Sequence, residues 1–516
     1  MKASYSPPVK KVIKNLFLFI AIGYLMWYLP FALGYKFNLF CPSFSGKVFR
    51  PYILFMPIAL ILYIKIKLMN RLFMAIAISA SLYSFIGIPY GAPSIGIVES
   101  IVSTNKNEAF EQIKSISIEQ IVLFSLSIIC IFIYNKNSNY STQKWWIWPI
   151  AVAIFYPAFI RGIYLDKFTT NIFFTINNYN KELSELNKNK AIIPEWTFTN
   201  KSVSNHKNYV VIIGESARAD YFSIYGYPIN TTPFLKEKST TIFDNATSPA
   251  TNTILSVPRT LSLNSTQYKI KNAYDTVTLA KKAGYETWWI SDQGKTGIFD
   301  TDITHIAARS DNIKYLQVGD HDSKKVDDFD LLDLIYHALN TENTKNKVIF
   351  VHTMGSHHDP CERLGDFPLI NGTSNNWSLQ LKCYITTIRK TDSFIENVDA
   401  IMKTTNAPYE IIYFSDHGVY ITNKTMLHSQ TVREAYHVPL IVIDSEKKDR
   451  TVIPEYFDMR HFIDFFASEI GVKADQIEGT WEKNLHNSDT AITPLSWDKE
   501  HLIDLNTLES NPAITP

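Results

Sequence analysis

Three short segments place carboxylates and imidazoles directly after runs of apolar, β-branched residues. Residues 209–213 (YVVII) lead into Gly214, Glu215, Ser216, Ala217 and Arg218; residues 411–415 (IIYFS) lead into Asp416, His417 and Gly418; residues 348–352 (VIFVH) lead into Thr353, Met354, Gly355, Ser356, His357 and His358. Any one of these alone is more often structural than chemical. Together they offer the mixed oxygen and nitrogen donors that bind zinc. A glutamate, an aspartate and a histidine leave one coordination position for a nucleophile or a water. A hydroxyl beside such a cation is easier to deprotonate, so a threonine or serine can attack without a neighbouring histidine base. Candidate hydroxyls crowd residues 248–259 (SPATNTILSVPR). That stretch precedes an apolar run and reads as a helix start, where backbone N–H groups favour a phosphate. On chemistry alone Thr251, Thr253 and Ser256 all qualify, and most such hydroxyls are merely helix caps.

These side chains need elements to hold them. From residue 209 onward short β-rich runs alternate with helical stretches, and residues 209–213, 287–291, 348–352, 411–415 and 439–443 read as buried strands. Near-continuous apolar strands with helices between them predict an α/β domain whose central, mostly parallel sheet is covered on both faces. Ligands in such sheets bind beyond the carboxyl ends of the strands, where the three metal-binding segments converge. Cys361 and Cys383 fall in this domain and read as a disulfide closing a loop.

The first third of the chain is different. No Asp or Glu occurs before Glu99, and five apolar segments, roughly 12–34, 51–68, 72–90, 118–135 and 145–164, are long enough to span a bilayer. Lys2, Lys10, Lys11 and Lys14, then Lys65, Lys67 and Arg71, then Lys136 and Lys144 mark the cytoplasmic side. An odd number of spans puts everything after about residue 165 outside. The predicted organisation is therefore a transmembrane domain over 1–165 with an outer loop at 91–117, a linker over 166–205, and an exported catalytic domain over 206–516. Phe168, Ile172, Ile176, Tyr179 and Leu183 recur at helical spacing, so the linker reads as partly an amphipathic helix. The net charge of +1, with no basic patch interleaved with aromatics, gives no reason to expect nucleic acid as a partner.

With these residues in view, the sequence resembles the phosphoethanolamine transferases of bacterial envelopes, members of the alkaline phosphatase and sulfatase superfamily. The resemblance rests on residues 214–235 (GESARADYFSIYGYPINTTPFL), 242–261 (IFDNATSPATNTILSVPRTL) and 414–420 (FSDHGVY), in that order. It implies that Glu215, Asp416 and His417 hold a catalytic zinc and that Thr253 is both ligand and nucleophile. His357 and His428 match histidines that hold the substrate phosphate or a second zinc, and Lys295 falls in a pocket-lining segment with Asp292 and Gln293. His352 and His358 have no such match and read as structural. In the loop 91–117, Thr104 and Glu108 match residues near the lipid donor's head group, and Ser100 stands where an asparagine is expected.

The resemblance further implies an inner-membrane protein, N-terminus cytoplasmic and catalytic domain periplasmic, acting as a monomer. Its donor would be phosphatidylethanolamine among the membrane lipids. Its acceptor would be lipid A, a lipopolysaccharide core sugar or another envelope molecule. A glycerol-phosphate transferase of the same superfamily and a catalytically inactive membrane sensor are the competing expectations.

Overall fold

The computed structural model describes scattered positions between 14 and 32, residues 67–90, 97, 101, 113 and 116–137. From residue 194 it describes nearly everything except 202–206, 239, 266–268, 294–301, 317–325, 342–344, 478–479 and 489–491. Ser100, Thr104, Glu108 and Lys295 lie outside the described residues, as do most of the linker, the second and fifth expected spans and Cys41.

The chain divides into two compact units. In the N-terminal unit two long helices are described, α1 (Lys67–Tyr90) and α2 (Ile118–Asn137). Their polarity is inverted relative to a soluble bundle. Ile118, Ile121, Ile129 and Phe132 are exposed, whereas Ser81 and Ser127 are fully buried and Ser127 Oγ donates to Ser81 Oγ at 3.0 Å. Buried hydroxyl pairs between apolar-surfaced helices are how helices associate in lipid. Within α2, Ile118–Lys136 is the one described helix that is both long and apolar enough to cross a membrane. The structure thus supports a helical membrane segment, while the expected count of five spans extends beyond what is described.

The second unit is built on a nine-stranded sheet. In chain order its strands are β1 (Asn208–Gly214), β2 (Thr240–Thr247), β3 (Glu286–Ser291), β4 (Asn312–Tyr315), β5 (Lys347–His352), β6 (Tyr409–Ser415), β7 (His437–Asp444), β8 (Thr451–Asp458) and β9 (Leu485–His486). Across the sheet they lie in the order β9-β8-β2-β7-β6-β1-β5-β3-β4. The five strands expected from sequence are all present, at the centre and toward one side. The sheet is mixed, however. β7, which carries residues 439–443, runs antiparallel to both β6 and β2, and β9 runs antiparallel to β8. A continuous apolar run reports burial on both faces; it carries no information on strand direction, which the connections decide.

The period-two pleat sorts each central strand between two cores. Tyr209, Val211 and Ile213 enter one hydrophobic cluster and Val210 and Ile212 the other. The same alternation divides Ile412 and Phe414 from Ile411 and Tyr413 on β6. On the first face lie α3 (Thr253–Leu261), α4 (Thr276–Ala283) and α7 (Phe462–Glu469); on the second lie α5 (Leu331–Asn340) and α6 (Leu379–Lys403). Helix α6 presents Leu381, Ile385, Ile388, Ile395, Val398 and Met402 to the sheet, a spacing of three and four residues that forms one apolar stripe. Cys361 and Cys383 form a disulfide that ties the segment after β5 to the first turn of α6.

Candidate active site

Glu215 follows β1 and Asp416 and His417 follow β6, and β1 and β6 are parallel neighbours with Gly214 opposite Ser415. Pairing in that register delivers the three side chains to one point at the carboxyl edge. One ligand atom from each lies within 4.8 Å of the others, and all three residues are buried. The turn after β1 is tight: Ser216 has φ of 58°, and its N–H donates to Asp416 Oδ1 at 3.0 Å, locking the two loops together. Asp416 Oδ1 also accepts the His417 N–H at 2.7 Å, while Asp416 Oδ2 is buried with no partner.

Thr253 is the first residue of α3. The helix starts there because Asn252, in extended conformation, caps it by accepting the Leu255 N–H at 3.0 Å. The partial positive charge of the helix N-terminus therefore sits at Thr253. Its hydroxyl donates to Glu215 Oε2 at 2.9 Å and lies 3.4 Å from His417 Nε2. The other two candidate hydroxyls are engaged elsewhere. Ser256 Oγ donates to the Asp416 carbonyl, as does Ser248 Oγ, and Thr251 Oγ1 accepts from Trp497 Nε1 at 3.1 Å; Thr251 and Ser256 are fully buried. Only Thr253 combines partial exposure with contact to the cluster.

The electrostatics of the cluster call for a cation. Burial, then the neighbouring Asp416 carboxylate, pushes Glu215 up to about 8, and burial pushes Asp416 up to about 6. Burial holds His417 below its ordinary value, so the ring is neutral, and its Nδ1 lies 2.8 Å from the Gly418 carbonyl. A proton on Nδ1 makes that hydrogen bond and leaves the Nε2 lone pair turned to the two carboxylates, each 3.4 Å away. Two desolvated carboxylates, one with an unpartnered oxygen, and an imidazole presenting a lone pair fit a zinc ion.

His357 and His428 stand beside this cluster. The His428 ring centroid lies 4.9 Å from that of His417 and 6.1 Å from that of His357. Burial lowers His428 to about 3 and also lowers His357, where Arg363 adds to the effect, so both are neutral near pH 7. His357 Nδ1 is buried without a hydrogen-bond partner, leaving it a vacant donor or acceptor position. His352 instead packs edge-on against Trp289, and burial lowers it to about 3. Gln293 earns a more definite place than sequence could give it: its Nε2 donates to Glu215 Oε2 at 3.2 Å and to the Thr353 carbonyl at 2.8 Å, joining the ends of β1, β3 and β5. Asp328 was not anticipated. Its carboxylate accepts the Met354 and Gly355 N–H groups and so shapes the loop that carries His357. No local motif marks it; the contact comes from a residue just ahead of α5.

An α/β sheet with side chains able to hold a metal at its carboxyl edge and a hydroxyl on a helix N-terminus is the arrangement of the alkaline phosphatase and sulfatase type. The sulfatase family model matches residues 207–471, half of the chain. The chain belongs to the sulfatase family, and several of the relatives it matches are named as phosphoethanolamine transferases. A putative phosphoethanolamine transferase of Haemophilus influenzae is 29% identical over 391 residues, covering 74% of this chain and 78% of that one. Phosphoethanolamine transferase OpgE of Escherichia coli is 28% identical over 415 residues, covering 75% and 77%. Among solved structures, lipooligosaccharide phosphoethanolamine transferase A from Neisseria meningitidis, an integral membrane protein, superposes with a TM-score of 0.60 at 16% identity, over 91% of this chain and 97% of that one. The C-terminal periplasmic domain of EcEptC from Escherichia coli, in complex with Zn, gives 0.54 at 23% identity over 61% and 98%. At those identities the likeness speaks for the fold.

Proposed function

We propose that this protein transfers phosphoethanolamine from phosphatidylethanolamine to an acceptor in the bacterial envelope, lipid A or the lipopolysaccharide core, through a covalent intermediate on Thr253, with zinc held by Glu215, Asp416, His417 and Thr253. The observation that carries the reading is the 2.9 Å hydrogen bond from the Thr253 hydroxyl to Glu215 Oε2 at the head of α3. The same reading places five spans over residues 1–165, a linker over 166–205 and a periplasmic catalytic domain over 206–516. It also assigns head-group contacts to Ser100, Thr104 and Glu108 and a substrate-binding place in the pocket lining to Lys295.

Bound zinc would supply positive charge that favours the ionised nucleophile and the crowded phosphoryl oxygens. The protein supplies the rest. Thr253 Oγ forms a bond to phosphorus as the bond to the diacylglycerol oxygen breaks, and the hydroxyl proton has an acceptor at Glu215 Oε2. The departing oxygen takes up a proton relayed through His357 or His428, whose rings are neutral at rest, so the proton given up by Thr253 leaves with diacylglycerol. In the second half an acceptor oxygen attacks the same phosphorus, gives up its proton to the histidine and frees Thr253. The helix N-terminus favours the phosphate throughout. Mass spectrometry of envelope lipids and glycans from cells with and without the protein tests this. A phosphoethanolamine increment on one glycolipid, lost with Thr253→Ala, is expected; no change in any envelope molecule would overturn the assignment.

A further inference from the structure

The segment 495–514 lies beyond the region matched by the sulfatase family model, yet it touches the stretch leading to Thr253, the loop after His428, and the loops that follow Glu215 and His417. Leu495 N–H donates to the Pro249 carbonyl at 2.8 Å and Trp497 Nε1 to Thr251 Oγ1, both on the stretch leading to Thr253. Trp497 N–H also donates to Gln430 Oε1, two residues past His428. Glu509 exchanges backbone hydrogen bonds with Thr431 and Arg433 on the same loop.

The densest contact is Asn511. Its Oδ1 accepts from Arg218 Nη1 at 2.7 Å and its backbone carbonyl from Arg218 Nη2 at 2.5 Å. The same side chain accepts the Ile421 N–H and donates to the Ile421 carbonyl, a two-way bond to the loop that follows Asp416 and His417. Arg218, three residues after Glu215, is fully buried. Its remaining guanidinium N–H groups go to Asp220 and to the Val419 carbonyl, so its donors are all taken. Gly418 packs onto Arg218 so closely that a Cβ there would fall 2.5 Å from Arg218 Cγ. Glu434 anchors the strap itself, accepting from Ser510 Oγ and Asn511 N–H at 2.7 Å each.

We infer that residues 495–514 form a positioning strap and that Asn511, through Arg218 and Ile421, fixes the Glu215 loop against the Asp416–His417 loop. The strap thereby sets the spacing of the metal-binding atoms. This rests on the zinc-site reading above but not on the identity of the transferred group. Buried groups that orient metal ligands from behind commonly contribute ten- to a hundredfold in metal affinity. Asn511 is a positioning residue rather than a catalytic one, since it touches no ligand directly.

The test measures zinc affinity of the full chain by competition with a chromogenic chelator, with thermal unfolding alongside. Asn511→Ala should weaken zinc binding by about tenfold or more. Asn511→Asp keeps the acceptor for Arg218 and Ile421 N–H and should regain most of it. Asn506→Ala, in an exposed turn of the same strap where Asn506 bonds only to Asp504, should bind zinc like the wild type. Unchanged affinity in Asn511→Ala, or equal losses in Asn511→Ala and Asn506→Ala, would overturn the proposal. If Asn511→Ala does not fold, Glu434→Gln decides: weaker zinc binding supports the strap, and unchanged binding refutes it. A wild type that binds zinc but transfers no phosphoethanolamine would sink the proposed activity and leave this inference standing.

Discussion

Replacing Thr253 by alanine separates the nucleophile from the metal site. The change removes one of three hydrogen bonds to the Glu215 carboxylate. Ser216 Oγ at 2.7 Å and Gln293 Nε2 at 3.2 Å remain. A hydrogen bond to a charged acceptor contributes about 1.5–3 kcal/mol, and alanine returns a few tenths as a better helix former. The net cost is about 1–2.5 kcal/mol, small against the roughly 5–15 kcal/mol that holds a typical protein folded. The variant should therefore fold and keep zinc on Glu215, Asp416 and His417. Transfer should fall by at least about a thousandfold, because Ser248 and Ser256 are tied to the Asp416 carbonyl and Thr251 to Trp497, leaving no other hydroxyl of the stretch bonded to a metal-binding atom. The assay is intact-protein mass after incubation with phosphatidylethanolamine and no acceptor. Wild type should gain one phosphoethanolamine and Thr253→Ala none. A retained increment, mapped to Thr251 or Ser256, would refute the assignment of the nucleophile.

Other perturbations probe the supports. Glu215→Gln and Asp416→Asn should each purify with little zinc, and chelation of the wild type should abolish transfer until zinc is restored; full zinc occupancy by metal analysis in either variant would mean the ligands are misassigned. Asn252→Ala removes the cap of α3 and should lower stability by about 1 kcal/mol while displacing Thr253, read by denaturant unfolding and a reduced kcat. Breaking the bridge with Cys361→Ser and Cys383→Ser together frees a loop of 22 residues in sequence and should cost about 3 kcal/mol in chain entropy, read as a shift in the unfolding midpoint. Gly355→Ala should lower both stability and transfer, since φ there is +46° and a Cβ would sit 3.0 Å from the Glu215 backbone nitrogen; unaltered Tm and kcat would show that the loop yields freely.

The central strands were legible because each is buried on both faces, and burial writes itself into sequence as an unbroken apolar run. β2, β4, β8 and β9 were not: β2 is largely buried but Thr240, Thr241, Asp244 and Asn245 interrupt its apolar run, Lys314, Thr451 and Val452 are exposed, and β9 has only two residues. The antiparallel course of β7 was invisible because its apolar run is the same read in either direction. At the site, strand ends placed Glu215, Asp416 and His417 on one edge, yet nothing in residues 248–259 separates three equivalent hydroxyls. The helix phase does so, by turning Ser256 back to the Asp416 carbonyl and leaving Thr253 at the open end. Asp328 and the 495–514 strap act through hydrogen bonds between distant segments, and such contacts leave no periodicity to read.

The strap also bears on when the enzyme becomes competent. Ribosomes build the chain from its N-terminus, so residues 495–514 are made after Glu215, Thr253, Asp416 and His417. Until then Arg218 has no Asn511 to receive two of its donors, and the two ligand loops are joined mainly through Ser216 and Asp416. A partly made chain thus holds every reactive side chain without the clasp that sets their spacing, and the spacing is set only once residues 495–514 have docked.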